Sequence, residues 1–338
     1  MPVQVIRCDL FGSLADTGRG HGTDTAVILG FMGYDPSTVP IDEVATLLRA
    51  VEDRSELILP DGRRVGFTRK DHIIFHRGKN LGEHPNAMHF TAQAKDGSLL
   101  EEAVVYSIGR GFTLIEGENV VVESDPVEVP FPFHSAQRLL EICDTEDLAI
   151  SEVVKANETA FRSWSETMAR IDAVWEAMDQ CIERGLRSEG VLPGGLKVWR
   201  RAKDYHQALS KTEEDDSLVV MDWVNFFALA VNEENAAGGR VVTAPTNGAA
   251  GVIPSVFRYA RQFRKSPFAD GQYRFFLTAG AIGSLYKKML RFRGRMSVAR
   301  ARSGWRVPWR RVLGPSISVE PLVRLNLQRK LAWSTTSV

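Results

Sequence analysis

Cysteine is scarce in this chain. The three present, Cys8, Cys143 and Cys181, are far apart and odd in number, so no disulfide framework and no CxxC metal spacing follows. No uninterrupted apolar stretch reaches membrane-spanning length. The first residues, MPVQVIRCDLFGS, lack the basic-then-apolar layout of a signal peptide. These absences point to a cytoplasmic protein in a reducing compartment, with no membrane partner. The 338 residues suffice for two domains of ordinary size, and 44% hydrophobic against 25% charged residues gives a sizeable core. Acid is missing from one region only. Residues 287–338 carry 13 Lys and Arg and one acid, Glu320, within a chain of 42 basic and 42 acidic residues. That segment is +12, and residues 1–286 are −12. So sharp a split is the usual mark of a nucleic-acid or membrane tail.

Small residues are plentiful in the middle. ENAAGGRVVTAPTNGAAG (234–251) holds four glycines and five alanines. NEEN closes a helix, GG breaks it, RVVTAP is a short extended piece, and TNGAAGVIPSVFRYARQF restarts a helix. Thr246 and Asn247 then sit at a helix start, followed by Gly248. Free backbone N–H groups and the helix dipole there favour a carboxylate or phosphate. Close helix packing on small residues explains the same composition, and the two can coexist. PGGLKV (193–198) is a second glycine-rich turn, beside Lys197, Arg200 and Arg201, and its ordinary reading is a solvated basic loop.

The pattern changes along the chain. VQVIRCDLFGSLA opens as a strand, and DTGRGHGTD is a loop in which Thr23 or Asp24 caps the next helix. IDEVATLLRAVED is a helix, residues 56–77 alternate around the DG turn at 61–62, and 84–114 give two strands around a second DG turn. After a linker with three prolines the apolar spacing becomes helical, with Gly185, Gly190, Gly194 and Gly195 as helix stops. The reading is α+β: a mixed N-terminal domain (1–124), a linker (125–136), an all-α domain (137–287) and a tail (288–338).

Histidine changes charge near neutral pH. His21, between Gly20 and Gly22, is either a surface loop residue or an unshielded imidazole open to a substrate. His84 is held extended by Pro85. His72 and His76 have helical spacing on a segment that looks like a strand; a metal site built from them with His84 and His89 is the weaker reading beside solvated or core histidines. His134 is an ordinary linker histidine.

Together GSLADTGRGHGTD, HPNAM, YSIGRGF, PFPFHSA, CIERGL, LPGGLKV, MDWVNFFALAVNEENAAGGRVVTAPTNGAAG and FFLTAGAIGSLYK resemble the iron–sulfur-dependent bacterial L-serine dehydratases (L-serine ammonia-lyases). The motifs stand in family order through Lys287. The pyridoxal-phosphate serine dehydratases are a different family, and their lysine-bearing motif is missing. The resemblance implies a β-type domain before an all-α catalytic domain. It implies dehydration of L-serine to 2-aminoacrylate, which hydrolyses to pyruvate and ammonia. It implies a homodimer and a [4Fe-4S] cluster with one iron free of cysteine, acting on the leaving hydroxyl. His21 and His84 match family histidines linked to proton transfer. Thr246, Asn247 and Gly248 suit the serine carboxylate on physical grounds.

Two departures stand out. The Ser-Ser-Ser-His-Thr segment that precedes the opening strand in the family is missing, so the chain is expected to start mid-domain. After Lys287 the family continues with Glu-Asn-Ala-Ser-Ile-Ser-Gly-Ala, where this chain has KMLRFRGRMSVARARSGWRVPWRRVLGP. Codons for Lys288–Gly294 and Arg300–Arg310 can spell the family segments in the neighbouring frame. That makes the basic tail an out-of-frame translation rather than a nucleic-acid arm. The family's cluster cysteines lie in the lost frame, so no cluster ligand is expected in this chain and it is expected to be inactive. The alternative is a non-catalytic remnant that binds L-serine or a partner chain.

Overall fold

The computed structural model describes residues 3–20, 22–82, 84–109, 112–117, 127–193, 196–209, 219–242, 248–263 and 271–293. They divide into two units at residue 120. The first is mixed and the second helical, the α+β arrangement expected from the sequence.

In the first unit five strands form one sheet in the order β4-β1-β5-β6-β7. They are β1 (Val5–Phe11), β4 (Ile73–His76), β5 (Ala87–Gln93), β6 (Leu99–Gly109) and β7 (Phe112–Ile115). β1 runs parallel to β4, and every other pairing is antiparallel. A separate hairpin, β2 (Glu56–Ile58) and β3 (Arg64–Gly66), flanks the DG turn. The short helix α1 (Ser13–Asp16) follows β1, and α2 (Thr23–Phe31), α3 (Val44–Arg54) and α4 (Arg69–His72) complete the unit. Strand alternation sends Ile6, Cys8 and Leu10 into the core with Met88, Phe90, Val27, Ile28 and Phe31. The intervening residues Arg7, Asp9 and Phe11 take the other face.

Three expectations change here. The 84–114 region gives three strands, because β6 runs long and β7 turns back on it. Neither Thr23 nor Asp24 caps α2. Gly22 stands at the N-cap in the left-handed region (φ 66°), Thr23 is fully buried, and Asp24 pairs with Arg69 at 2.8 Å. His72 ends a short helix capped by Thr68, while His76 ends a strand.

The second unit comprises α5 (Ala136–Glu146), α6 (Ile150–Thr159), α7 (Trp164–Arg187), α8 (Ala202–Leu209), α9 (Val219–Ala237), α10 (Val252–Phe263) and α11 (Gly271–Arg293). Ser163 starts α7: its hydroxyl accepts from Glu166 N–H, and the Glu166 carboxylate accepts from Ser163 N–H at 2.9 Å. This capping box splits what reads as one long helix. Gly185 does not stop α7. It lies buried inside the helix, where a Cβ would stand 2.3 Å from the carbonyl oxygen of Ala230 on α9. Gly251 meets α9 in the same way, its Cβ position 2.9 Å from Ala228 O. Close packing of backbones therefore accounts for part of the small-residue stretch. α10 begins at Val252, so Gly248 lies in the turn before the helix and not in its first turn. Pro254, third in α10, loses no intrahelical bond there. α11 continues past Lys287 to Arg293.

Candidate active site

Of the residues singled out by sequence, His21, Thr246 and Asn247 lie outside the described residues. His84 is in the first unit and Gly248, exposed in its turn, in the second.

His84 belongs to a crowded polar cluster at one end of the sheet. Gly12 follows β1 as the N-cap of α1, and its positive φ (56°) turns the chain into that helix. Its N–H donates to Lys79 O at 2.8 Å, and a Cβ would fall 1.5 Å from Pro85 O. This contact presses the start of α1 against the HPN segment. Ser13 Oγ then donates to Asn86 Oδ1 at 2.5 Å. Asn86 N–H donates to His84 Nδ1 at 3.2 Å, and Asn86 O accepts from Ser107 N–H at 2.8 Å. With Nδ1 accepting, the neutral His84 ring carries its proton on Nε2. The Tyr106 ring lies 6.4 Å from the imidazole, and its hydroxyl donates to Glu116 Oε1 at 2.6 Å. Gly82 leaves room for that hydroxyl: a Cβ there would be 2.2 Å from it. Ser13, Asn86 and Tyr106 were not singled out from sequence. Each lies in a quoted motif, GSL, HPN or YSIG, so the motifs were the available signal.

Three other histidines find separate partners. His72 Nδ1 faces the Thr68 backbone, and His89 Nε2 meets Glu102 Oε1 across the strands at 2.6 Å. His76 Nε2 meets Asp9 Oδ1 at 2.6 Å, with its ring stacked on Phe11. Arg7 also grips Asp9, through Nε at 2.7 Å and Nη2 at 2.6 Å. Burial alone would raise the Asp9 carboxyl, but the bonds from Arg7 and His76 hold it below the usual carboxylate range.

In the second unit the acids of NEEN are buried rather than a solvated helix end. Glu234 Oε1 accepts from Arg200 Nη1 at 2.9 Å and Oε2 from Arg184 Nε at 3.4 Å. Its main-chain oxygen accepts from Gly239 N–H at 2.8 Å. Arg184 reaches on to Arg240 O at 3.2 Å. Glu233 accepts from the N–H groups of Arg201 and Ala202 at 2.7 and 3.3 Å, serving α8 as a cap from another helix. Arg200 is thus an inward, paired cation and not part of a solvated loop. No side-chain pattern marks this: NEEN reads only as the close of a helix until the loop folds over it.

The cysteines do not fit an iron–sulfur cluster. Cys8 lies in the sheet core, Cys143 on α5 in the cluster shared with α6 and α11, and Cys181 in the α7–α9 core, in three separate apolar clusters. Burial, with Asp9 nearby, pushes the Cys8 thiol well above its ordinary value. Burial and Glu234 raise Cys181 to about 12 against the opposing Arg184. Cluster ligands must be thiolates brought to one place. Among the described residues no group of three or more His, Cys, Asp or Glu could hold a metal ion, and no helix is long and apolar enough to cross a membrane.

Two family models match the chain: the serine dehydratase beta chain over residues 1–118 and the serine dehydratase alpha chain over 145–303. The alpha-chain match runs beyond Lys287. The chain is 45% identical over 285 residues to L-serine dehydratase 1 of Escherichia coli K12, covering 83% of this chain and 62% of that one. It is 40% identical over 289 residues to an L-serine dehydratase of Streptomyces coelicolor, covering 85% and 63%. A Helicobacter pylori L-serine dehydratase is 36% identical over 292 residues, covering 85% and 64%. The chain thus spans somewhat over three-fifths of the length of these relatives.

Proposed function

The chain belongs to the serine dehydratase family, and from that premise we propose that it descends from an enzyme that removes water from L-serine. Loss of the Cα proton and of the Cβ hydroxyl, which departs as water, gives 2-aminoacrylate. Hydrolysis of that product yields pyruvate and ammonia. The observation that carries the reading is the coincidence of two family matches with the sheet-end cluster at His84. His84, held by Asn86 N–H at Nδ1, takes part in the proton transfers of the elimination. His21 shares the proton transfers. Thr246, Asn247 and Gly248 receive the serine carboxylate, and the working form is a homodimer.

The relatives' chemistry depends on a [4Fe-4S] cluster on this reading, and the cysteines of this chain do not fit one. The polypeptide as written is therefore inactive. For an out-of-frame tail at 288–338 the support is the degenerate codon match alone, since the alpha-chain match continues to residue 303. Anaerobic reconstitution with iron and sulfide, followed by iron analysis and a pyruvate assay, tests this. The expected result is no bound cluster and no pyruvate from L-serine. Clear turnover by the reconstituted chain overturns the inactivity, and pyruvate lost on His84→Gln would then confirm the site.

A further inference from the structure

The turn after β1 holds one distant peptide group, the one between Pro85 and Asn86. Gly12 packs so closely on its carbonyl that a Cβ would stand 1.5 Å from Pro85 O. Ser13 Oγ donates to Asn86 Oδ1 at 2.5 Å, between residues 73 positions apart. Ser107 N–H holds the Asn86 main-chain oxygen at 2.8 Å. A peptide group is planar, so fixing the Pro85 oxygen also fixes the direction of the Asn86 N–H. That N–H donates to His84 Nδ1 at 3.2 Å. In a neutral imidazole one nitrogen accepts and the other carries the proton, and the bond made at one decides the other.

We infer that Ser13 is a positioning residue for His84. By holding Asn86 it keeps the Asn86 N–H on Nδ1, and so keeps the ring proton on Nε2. This role rests on the reading of His84 as a proton-transfer group and adds the residue that sets its tautomer. Local structure does not call for a hydroxyl at position 13. The turn of α1 closes through main-chain oxygens: Asp16 N–H donates to Gly12 O at 2.9 Å, and Thr17 N–H and Oγ1 donate to Ser13 O at 3.2 and 2.9 Å. Any residue supplies that carbonyl, whereas the contact with Asn86 needs the side chain.

Nitrogen-15 magnetic resonance of the full chain with labelled histidine tests this, because protonated and accepting ring nitrogens resonate apart. At a pH where the ring is neutral, wild-type His84 should show a protonated Nε2 and an accepting Nδ1. Ser13→Ala should raise the share of the Nδ1–H form by roughly two- to ten-fold, the range for losing one ordinary hydrogen bond. Alanine suits a helix, so the far-UV circular dichroism and the ring signals of His72, His76 and His89 should stay unchanged. Ser13→Thr, which keeps the hydroxyl, should restore the wild-type His84 signals. An unchanged His84 in Ser13→Ala, or a wild-type ring protonated on Nδ1, overturns the positioning role and leaves the dehydratase reading standing. The two fail separately. Pyruvate formation unaffected by His84→Gln would remove the proton-transfer reading, with the tautomer shift at Ser13→Ala untouched.

Discussion

Each unit of the chain buries an acid against arginine, and the two do it differently. In the sheet unit Asp9 is held by Arg7, two residues away on the same strand, and by His76 on the parallel neighbour. In the helical unit Glu234 ties together Arg184 on α7, Arg200 just before α8 and Gly239 at the exit of α9. The apolar cores differ in the same sense. One large cluster runs beneath the sheet from Val3 to Val105, with a small one at Ala26, Leu29 and Val39 behind α2, whereas the described helices of the second unit enclose three clusters, each smaller than the one beneath the sheet. A pleated sheet offers a continuous face and lets one large core form beneath it.

The contrast can be broken most sharply at Glu234. Glu234→Ala leaves Arg184 and Arg200 without their shared carboxylate and should cost about 3–5 kcal/mol. In urea the transition of the helical unit should move while that of the sheet unit stays, and equal or absent shifts would erase the distinction. A smaller loss is expected at Gly12. Gly12→Ala drives a Cβ into Pro85 O from a left-handed backbone and should cost the sheet unit about 1–3 kcal/mol. Nuclear magnetic resonance should show the His84 signals shifting as the Ser13–Asn86 contact is displaced. Unmoved signals would detach that cluster from the turn.

The smallest effect concerns acid. The folded Asp9 carboxyl is held below its unfolded value. Its contribution is therefore complete above the ordinary carboxylate range and disappears as the pH falls through the depressed folded value. Solvent screens the pair, since Arg7 is nearly half exposed, so the change is modest. Asp9→Asn should flatten the acid limb of the sheet unit's stability curve. An unchanged limb would show that the carboxylate contributes nothing there.

Several elements were legible in advance. The DG turn at 61–62 marked a hairpin because glycine accepts the left-handed turn position (φ 84° at Gly62). The apolar spacing of α9 marked a helix with an apolar face, and HPNAM located His84 just before a strand. Gly185 read as a helix stop because its neighbour across the interface, Ala230, is 45 residues away in the chain. The burial of Glu233 and Glu234 went unmarked for the same reason: their partners come from a loop over thirty residues earlier.

The sequence alone determined the family, the division into a mixed and a helical unit, and the shortage of cysteine. These depend on composition, local period and short motifs, which no distant contact can alter. Tertiary structure decided which acids are buried, which glycines are pressed against backbone, that Arg200 points inward while Trp199 points out, and that Cys8, Cys143 and Cys181 lie in separate cores. Each of those outcomes is set by a segment remote in sequence, whose approach excludes water from one side chain and leaves its neighbour wet.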